Sequence, residues 1–235
     1  MEPIAYIHTD FPTKFGLPRQ SGLVEALEGQ VVFLPAYSKP EAFRGLEQFS
    51  HIWLIWEFSA ARKQGGWSPT VRPPRLGGNQ RMGVFATRSP FRPNSLGLSC
   101  VRLQGVSFEG GQAVLHVSGI DMMDGTPVYD VKPYIPLADC RTDASQGYTR
   151  QTATHQLKVH FPAALLEQLP ADKRDAAVGI LQQDPRPGYS EDPERIYGVA
   201  FAGFDLRFTV TENQLTVRSV EPLGESSAMP AGGRP

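Results

Sequence analysis

The chain has 235 residues, a formal charge of −1 and 40% hydrophobic residues, enough apolar material for one or two packed domains and too much for a disordered chain. Gly (23) and Pro (21) together make up about a fifth of it against ~12% in an average protein, which argues against a helical bundle and for short strands joined by turns. No apolar run approaches the ~18 residues of a membrane span, and the amino end MEPIAYIHTDFP lacks a basic segment followed by an apolar one, so a soluble, cytoplasmic protein is expected.

AYIHT reads as a first strand. TKFGLPRQSG is a polar, basic stretch with turn chemistry at Gly16, Pro18 and Gly22. QVVFLPAY is a strand, and KPEAFRGLEQFS is a short helix with Pro40 in its first turn. HIWLIWEF reads as the most deeply buried strand. Residues 59–80 form a loop too rich in Gly and Pro for regular structure, and loops of that length are usually functional or disordered. MGVFATRS is a strand running into a turn. LGLSCVRLQGVSF, QAVLHVSGI and PVYDVKPYI add strands separated by Gly-containing turns, a spacing that fits a closed or nearly closed antiparallel barrel over residues 1–140.

Residues 141–154 lack a hydrophobic period and read as a linker. Beyond them HQLKVHF is a strand, PAALLEQLP and ADKRDAAVGILQQ are helices, DPRPGYSEDPERIYG is an extended loop, and FDLRFTVTENQLTVRSV is a hairpin. This predicts a small α+β domain over 155–223, followed by a disordered tail, 224–235.

The small net charge hides an asymmetry. From Phe58 to Phe108 the chain carries eight basic residues and no Asp or Glu, leaving 15 basic against 24 acidic elsewhere. Seven of the eight are Arg, which pairs with phosphates and carboxylates through a planar fork. An anion site for phosphate or nucleic acid is expected.

Familiar cofactor chemistry is absent: there is no G-x-G-x-x-G after a strand, no phosphate-loop G-K-[ST], no G-x-S-x-G and no H-E-x-x-H. Two cysteines, Cys100 and Cys140, and five scattered histidines build no four-ligand metal site, and no metal is expected. Three segments do carry information. In Arg81–Asn94, Pro90 and Pro93 stiffen the chain and remove two backbone donors, so that Arg88 and Arg92 sit on a rigid platform with two hydroxyls and one ring. In Asp121–Tyr134, Asp121, Asp124 and Asp130 bring three carboxylates within ten residues, enough for a general base, although Asp124-Gly125 is also ordinary turn chemistry. Pro18-Arg19-Gln20-Ser21-Gly22 is a polar loop without an evident packing role.

GVFATRSPFRPN, DGTPVYDVKPYIP and FGLPRQSGL resemble the signatures of the TsaA-like family, also called the YaeB or TrmO family. The likeness extends to RGLEQFSHIWLIWEF, GGWSPTVRPPRLGG and DPRPGY with IYG, and so spans nearly the whole chain. It implies a six- or seven-stranded antiparallel β-barrel that binds S-adenosylmethionine without a Rossmann fold, with a small α+β carboxyl-terminal domain. It also implies a homodimer with the cofactor near the subunit interface. The implied activity is methylation of the N6 nitrogen of threonylcarbamoyladenosine beside the tRNA anticodon.

Matched position by position, the resemblance assigns cofactor contacts to Pro18, Arg19, Gln20, Arg88, Leu98, Asp124, Gly125 and Thr126. Ser95 stands where many relatives carry proline. For catalysis, Asp124 or Asp130 could take the proton of a poorly nucleophilic ureido nitrogen, and Arg92 could stabilise a developing anion. Arg88 and Arg92 also suit the substrate's carboxylate. Arg62, Lys63, Arg72, Arg75 and Arg81 are candidates for tracking tRNA phosphates, and Trp67 for stacking on an anticodon-loop base. The competing readings are a methyltransferase for a small molecule and a non-enzymatic S-adenosylmethionine sensor or RNA-binding module.

Overall fold

Period-two burial builds most of the molecule. The computed structural model describes residues 1–61, 67–73, 80–151, 155–186 and 192–224. In chain order the strands of the first half are β1 (Ala5–Thr9), β2 (Glu28–Phe33), β3 (His51–Glu57), β4 (Thr70–Val71), β5 (Met82–Gly83), β6 (Leu96–Glu109), β7 (Gln112–Ser118) and β8 (Thr126–Pro133), followed by a short helix, α1 (Pro136–Asp139). Six of them close into an antiparallel barrel in the order β1-β2-β7-β6-β3-β8, with β8 returning to β1. The expected six- or seven-stranded barrel therefore has six. Closure removes the exposed strand edges that invite aggregation.

The register aligns buried residues across the barrel interior. Ile7 faces Val31, Val31 faces Leu115, Leu54 faces Ser99 and Trp56 faces Gly97. Trp56 is nearly fully buried, and a Cβ on Gly97 would lie 2.3 Å from its indole. Only glycine leaves room for that ring, so the sequence pair Trp56/Gly97 is one packing unit.

The second half holds β9 (Lys158–His160), α2 (Ala163–Leu166), α3 (Arg174–Gln182), β10 (Tyr197–Phe201), β11 (Phe204–Thr211) and β12 (Gln214–Pro222). Its sheet runs β10-β11-β12-β9, antiparallel except for the β12/β9 pair. Ala176, Ala177, Ile180 and Leu181 form the buried stripe of α3. The mixed α+β expectation holds. The two halves share one core: Phe11, just past β1, packs against Phe201 with ring centroids 5.2 Å apart, the Ala202 amide donates to the Asp10 carbonyl at 3.0 Å, and Lys173 Nζ pairs with Asp10 at 2.8 Å.

Several elements differ from expectation. The helix expected over 39–50 is two 3-10 turns, Pro40–Phe43 and Leu46–Gln48, because Gly45 between them takes φ +87°. The strand expected over MGVFATRS stops at Gly83 and becomes a 3-10 turn, Val84–Ala86. Its partner β4 is two residues long and begins just after Pro69, which would face Val84 and has no amide to donate, so there is no ladder to continue past Gly83. β3 buries alternate residues, whereas β7 buries five of its seven. β10 lies at the end of the stretch read as an extended loop. No helix among the described residues is long and apolar enough to cross a membrane. The expected tail lies outside the described residues from 225 onward, as do 152–154 of the expected linker.

Candidate functional site

Antiparallel closure brings three sequence-distant segments to one mouth of the barrel. β1 ends there at Thr9, β7 at Ser118 and β3 at Glu57, while β6 starts there at Leu96 and β8 at Thr126. The loop after β1 (residues 10–27), the hinge before β6 (84–95) and the loop before β8 (119–125) therefore share a rim. The first loop is stitched down by Gly22 N–H to the Gly119 carbonyl and Gly119 N–H to the Leu27 carbonyl, both 2.8 Å. Both glycines have positive φ, a backbone that L side chains rarely adopt, and this conformation rather than lack of space favours glycine at both positions. Pro18 is buried in this seam, while Arg19 is exposed.

Arg88 Nη1 donates to Gln20 Oε1, which joins the hinge to the first loop. Beneath them Asp121 reaches into the barrel. Ser99 Oγ donates to Asp121 Oδ1 at 2.6 Å, and Trp56 Nε1 donates to Ser99 Oγ at 2.9 Å. Burial pushes the Asp121 carboxyl up to about 6, against the opposing pull of the Ser99 hydroxyl, its own and the Ser21 backbone amides, and Arg88. One largely enclosed acid thus bonds to the first loop at Ser21 and to the barrel wall at Ser99, and lies in the field of Arg88 on the hinge.

The loop before β8 returns onto β1. The Asp124 amide donates to the Phe11 carbonyl and the Gly125 amide to the Ile7 carbonyl, each at 2.9 Å. The Thr9 amide donates to Asp124 Oδ1 at 3.1 Å, and His8 Nδ1 lies 3.1 Å from the same oxygen. Gly125 takes φ +71° at this turn. Thr126 is buried and donates its hydroxyl to the Met123 carbonyl at 2.7 Å. Pro18, Arg19, Gln20, Arg88, Asp124, Gly125 and Thr126 are therefore brought together.

Leu98 and Asp130 lie apart from that group. Leu98 faces Ile55, and Ile55 faces Asp130, in one row across β6, β3 and β8 on the outer wall. Leu98 is 53% exposed. Asp130 pairs with Lys132 Nζ at 2.9 Å and accepts from the Val131 amide. At about 3.3 Å per residue, the strand carries it some 13 Å beyond Thr126, so Asp124 and Asp130 form no carboxylate pair.

Arg92 is placed differently from its expected catalytic role. Its Nη1 donates to the carbonyls of Thr87 (2.6 Å) and Val84 (3.2 Å), and the guanidinium sits 5.7 Å from the Phe85 ring centroid. Prolines at 90 and 93 leave the hinge short of backbone donors, and Arg92 supplies them. The hinge hydroxyls are also used internally: Thr87 Oγ1 donates to the Val84 carbonyl at 2.9 Å, and Ser89 Oγ accepts from the Phe91 amide. The result is a stiff platform that leaves Arg88 pointing at the loop.

Among the basic candidates, Arg62, Lys63 and Arg75 lie outside the described residues. Arg72 and Arg81 are exposed. Trp67 is 49% exposed and stacks on Phe85, itself 70% exposed, with centroids 6.0 Å apart and planes 29° apart. Arg92, Phe85 and Trp67 thus form a cation-capped pair of rings on the surface. Among the described residues, no cluster of three His, Cys, Asp or Glu side chains could hold a metal ion.

Two family models match the chain, the tRNA-methyltransferase O N-terminal domain over residues 6–140 and the TrmO C-terminal domain over residues 154–223. The chain belongs to the TrmO family. It is 42% identical over 229 residues to a tRNA (adenine(37)-N6)-methyltransferase of Escherichia coli K12, covering 94% of this chain and 97% of that protein. It is also 42% identical over 228 residues to a putative S-adenosylmethionine-dependent methyltransferase, RcsF, of Pseudomonas aeruginosa, covering 88% and 91%. The crystal structure of TrmO from Pseudomonas aeruginosa superposes with a TM-score of 0.73 at 36% identity, covering 93% of this chain and 97% of that one.

Within this TrmO chain, sequence reasoning missed the roles of Asp121, Ser99 and Phe85. Asp121 was visible only as one of three nearby carboxylates. A Ser at a buried position of β6, opposite an apolar strand, was the available signal for a polar contact inside the barrel.

Proposed function

We propose that this protein is an S-adenosylmethionine-dependent methyltransferase acting on N6 of the adenine at position 37 of tRNA, with threonylcarbamoyladenosine as the form methylated. The observation that carries the reading is the Arg88–Gln20 contact over Asp121, which unites three segments far apart in sequence at one barrel mouth.

The donor set there fits S-adenosylmethionine. A guanidinium held by Gln20 suits an amino-acid carboxylate, and Asp121 and Asp124 suit hydroxyl and ammonium donors. The cofactor, when bound, supplies a methyl group carried on a sulfonium sulfur. The chain supplies positioning, which contributes as much as ~7–11 kcal/mol to a two-substrate reaction. Asp124, held by the Thr9 amide beside His8 at the rim, is the better-placed carboxylate to take the N6 proton. Arg88 is fixed before any ligand arrives, so binding to it costs little ordering entropy.

Arg19, Arg88, Asp124 and Gly125 at the rim are open to solvent, and outward Leu98 with Ile55 beside it offers a strip on which a second protomer can seat. A homodimer that covers the site follows from this reading, as does a cytoplasmic location. Arg72, Arg81 and the Trp67–Phe85 pair make the RNA-facing surface, with phosphates on the arginines and an unpaired base on the rings.

The test is transfer of labelled methyl from S-adenosylmethionine to tRNA taken from a strain lacking this protein, followed by mass spectrometry of the nucleosides. A mass gain of one methyl on threonylcarbamoyladenosine is expected. Methylation of unmodified adenosine would move the substrate assignment, and absence of any transfer would overturn the reading.

A further inference from the structure

A second cleft lies beside the barrel mouth, between the loop after β1 and the carboxyl-terminal half. Lys14, Phe15, Gly16, Leu17 and Arg19 form one wall, and Ile180, Gln183, Asp184, Pro185 and Arg186 the other, around a volume of ≈ 180 Å³. Cofactor pockets usually enclose about 300–1,000 Å³, so this cleft suits one flat ring or one phosphate rather than a whole S-adenosylmethionine.

Its chemistry is that of a nucleotide contact. Phe15 is 60% exposed, a large ring at a loop tip that contributes little to the core, and Lys14 Nζ lies 6.0 Å from its centroid. Three of the four charged lining residues are cations. The single acid, Asp184, is occupied: it accepts from Arg186 Nε at 2.8 Å and Nη2 at 2.9 Å, with His155 Nε2 3.0 Å away. Asp184 holds that arrangement from a left-handed backbone, φ +52°, which a non-glycine residue adopts at a cost. The opposite wall also touches the cofactor loop: Arg19 lines the cleft, and its neighbour Gln20 holds Arg88.

We propose that this cleft binds an unpaired nucleotide of the RNA substrate, with the base against Phe15 and the phosphate beside Lys14 and Arg19. The carboxyl-terminal half thereby grips RNA next to the methylation site. The proposal rests on the tRNA-methyltransferase reading above and adds a location to it. A base stacked on a protein ring is worth about 1–3 kcal/mol, which corresponds to roughly five- to 150-fold in affinity.

The full chain is compared with Phe15→Ala, Phe15→Tyr and Lys14→Gln variants, using a fluorescent threonylcarbamoylated anticodon stem-loop as probe and calorimetry with S-adenosylmethionine alone. Phe15→Ala is expected to weaken RNA binding about tenfold and raise the RNA KM without moving kcat or cofactor affinity. Phe15→Tyr is expected to restore binding. Lys14→Gln is expected to lower the slope of log affinity against log salt by about one. If the parent protein methylates tRNA while Phe15→Ala and Lys14→Gln keep RNA affinity within twofold, the cleft assignment is overturned and the activity stands. Equal loss of RNA and cofactor affinity in Phe15→Ala would make the loop purely structural and also overturn the assignment. Failure of the parent protein to bind or methylate tRNA would remove both.

Discussion

Arg88 donates to the side-chain carbonyl of Gln20 across 68 positions of sequence, and through it the proline-stiffened hinge and the loop after β1 act as one wall. Arg88→Ala removes a charged donor from that wall. Hydrogen bonds to charged groups are worth about 1.5–3 kcal/mol, so the S-adenosylmethionine Kd is expected to rise roughly ten- to 100-fold by calorimetry. An unchanged Kd would remove Arg88 from the cofactor contacts.

The two candidate bases occupy different surfaces, and their variants should separate. Asp124→Asn is expected to lower kcat by about 10²-fold, the smaller end of what a general base contributes. Asp130→Asn breaks only the outer-wall pair with Lys132 and should leave kcat within about threefold. Single-turnover methyl transfer at saturating cofactor distinguishes them, and a reversed order would move the base to the outer wall.

Asp121 makes stability depend on pH in a direction opposite to that of an ordinary paired acid. Burial raises its carboxyl from 3.8 to about 6, so between these values the folded state binds more protons than the unfolded state. Stability from this group is then fully present below about pH 4 and is lost as pH rises through 6, by as much as about 3 kcal/mol. Urea unfolding of the parent protein and Asp121→Asn at pH 4 to 8 should show the parent losing ground across that window and a constant difference above it. Parallel curves would mean that the buried acid carries no such penalty.

Gly16 joins the cofactor loop to the carboxyl-terminal half. It takes φ +86°, and a Cβ there would lie 2.4 Å from Val199 Cγ1. Gly16→Ala must both strain the backbone and push β10 away, at a cost of about 1–3 kcal/mol. Because Pro18–Gln20 follow within four residues, the thermal midpoint and cofactor affinity are expected to fall together. A lower midpoint with normal affinity would uncouple the loop from its support.

Much of the barrel was legible because apolar runs bounded by Gly-containing turns are local signals: β1, β3, β6, β7, β8 and the β11–β12 hairpin fall where those signals place them. Short elements were not legible. Whether MGVFATRS continues as a strand depends on the length of β4, a partner twelve residues away, and whether residues 39–50 make one helix depends on the sign of φ at Gly45. At the site, the three rim segments stood out by composition, since prolines and arginines crowd the hinge and Asp-Gly marks the turn. Which arginine faces the ligand did not stand out. Arg88 and Arg92 are four residues apart in one motif, and only the positions of the Val84 and Thr87 carbonyls assign Arg92 to the hinge. Asp121 was obscured for the same reason: its partners Ser99 and Ser21 are each about 20 residues or more away in sequence.

The ring contact of Phe11 with Phe201 joins the barrel and the four-stranded sheet through one shared core. Melting either half alone would expose both rings and break the Lys173–Asp10 pair, so heating in a calorimeter should give a single absorption peak, and a fragment ending near residue 150 should be prone to clump through the bared phenylalanine.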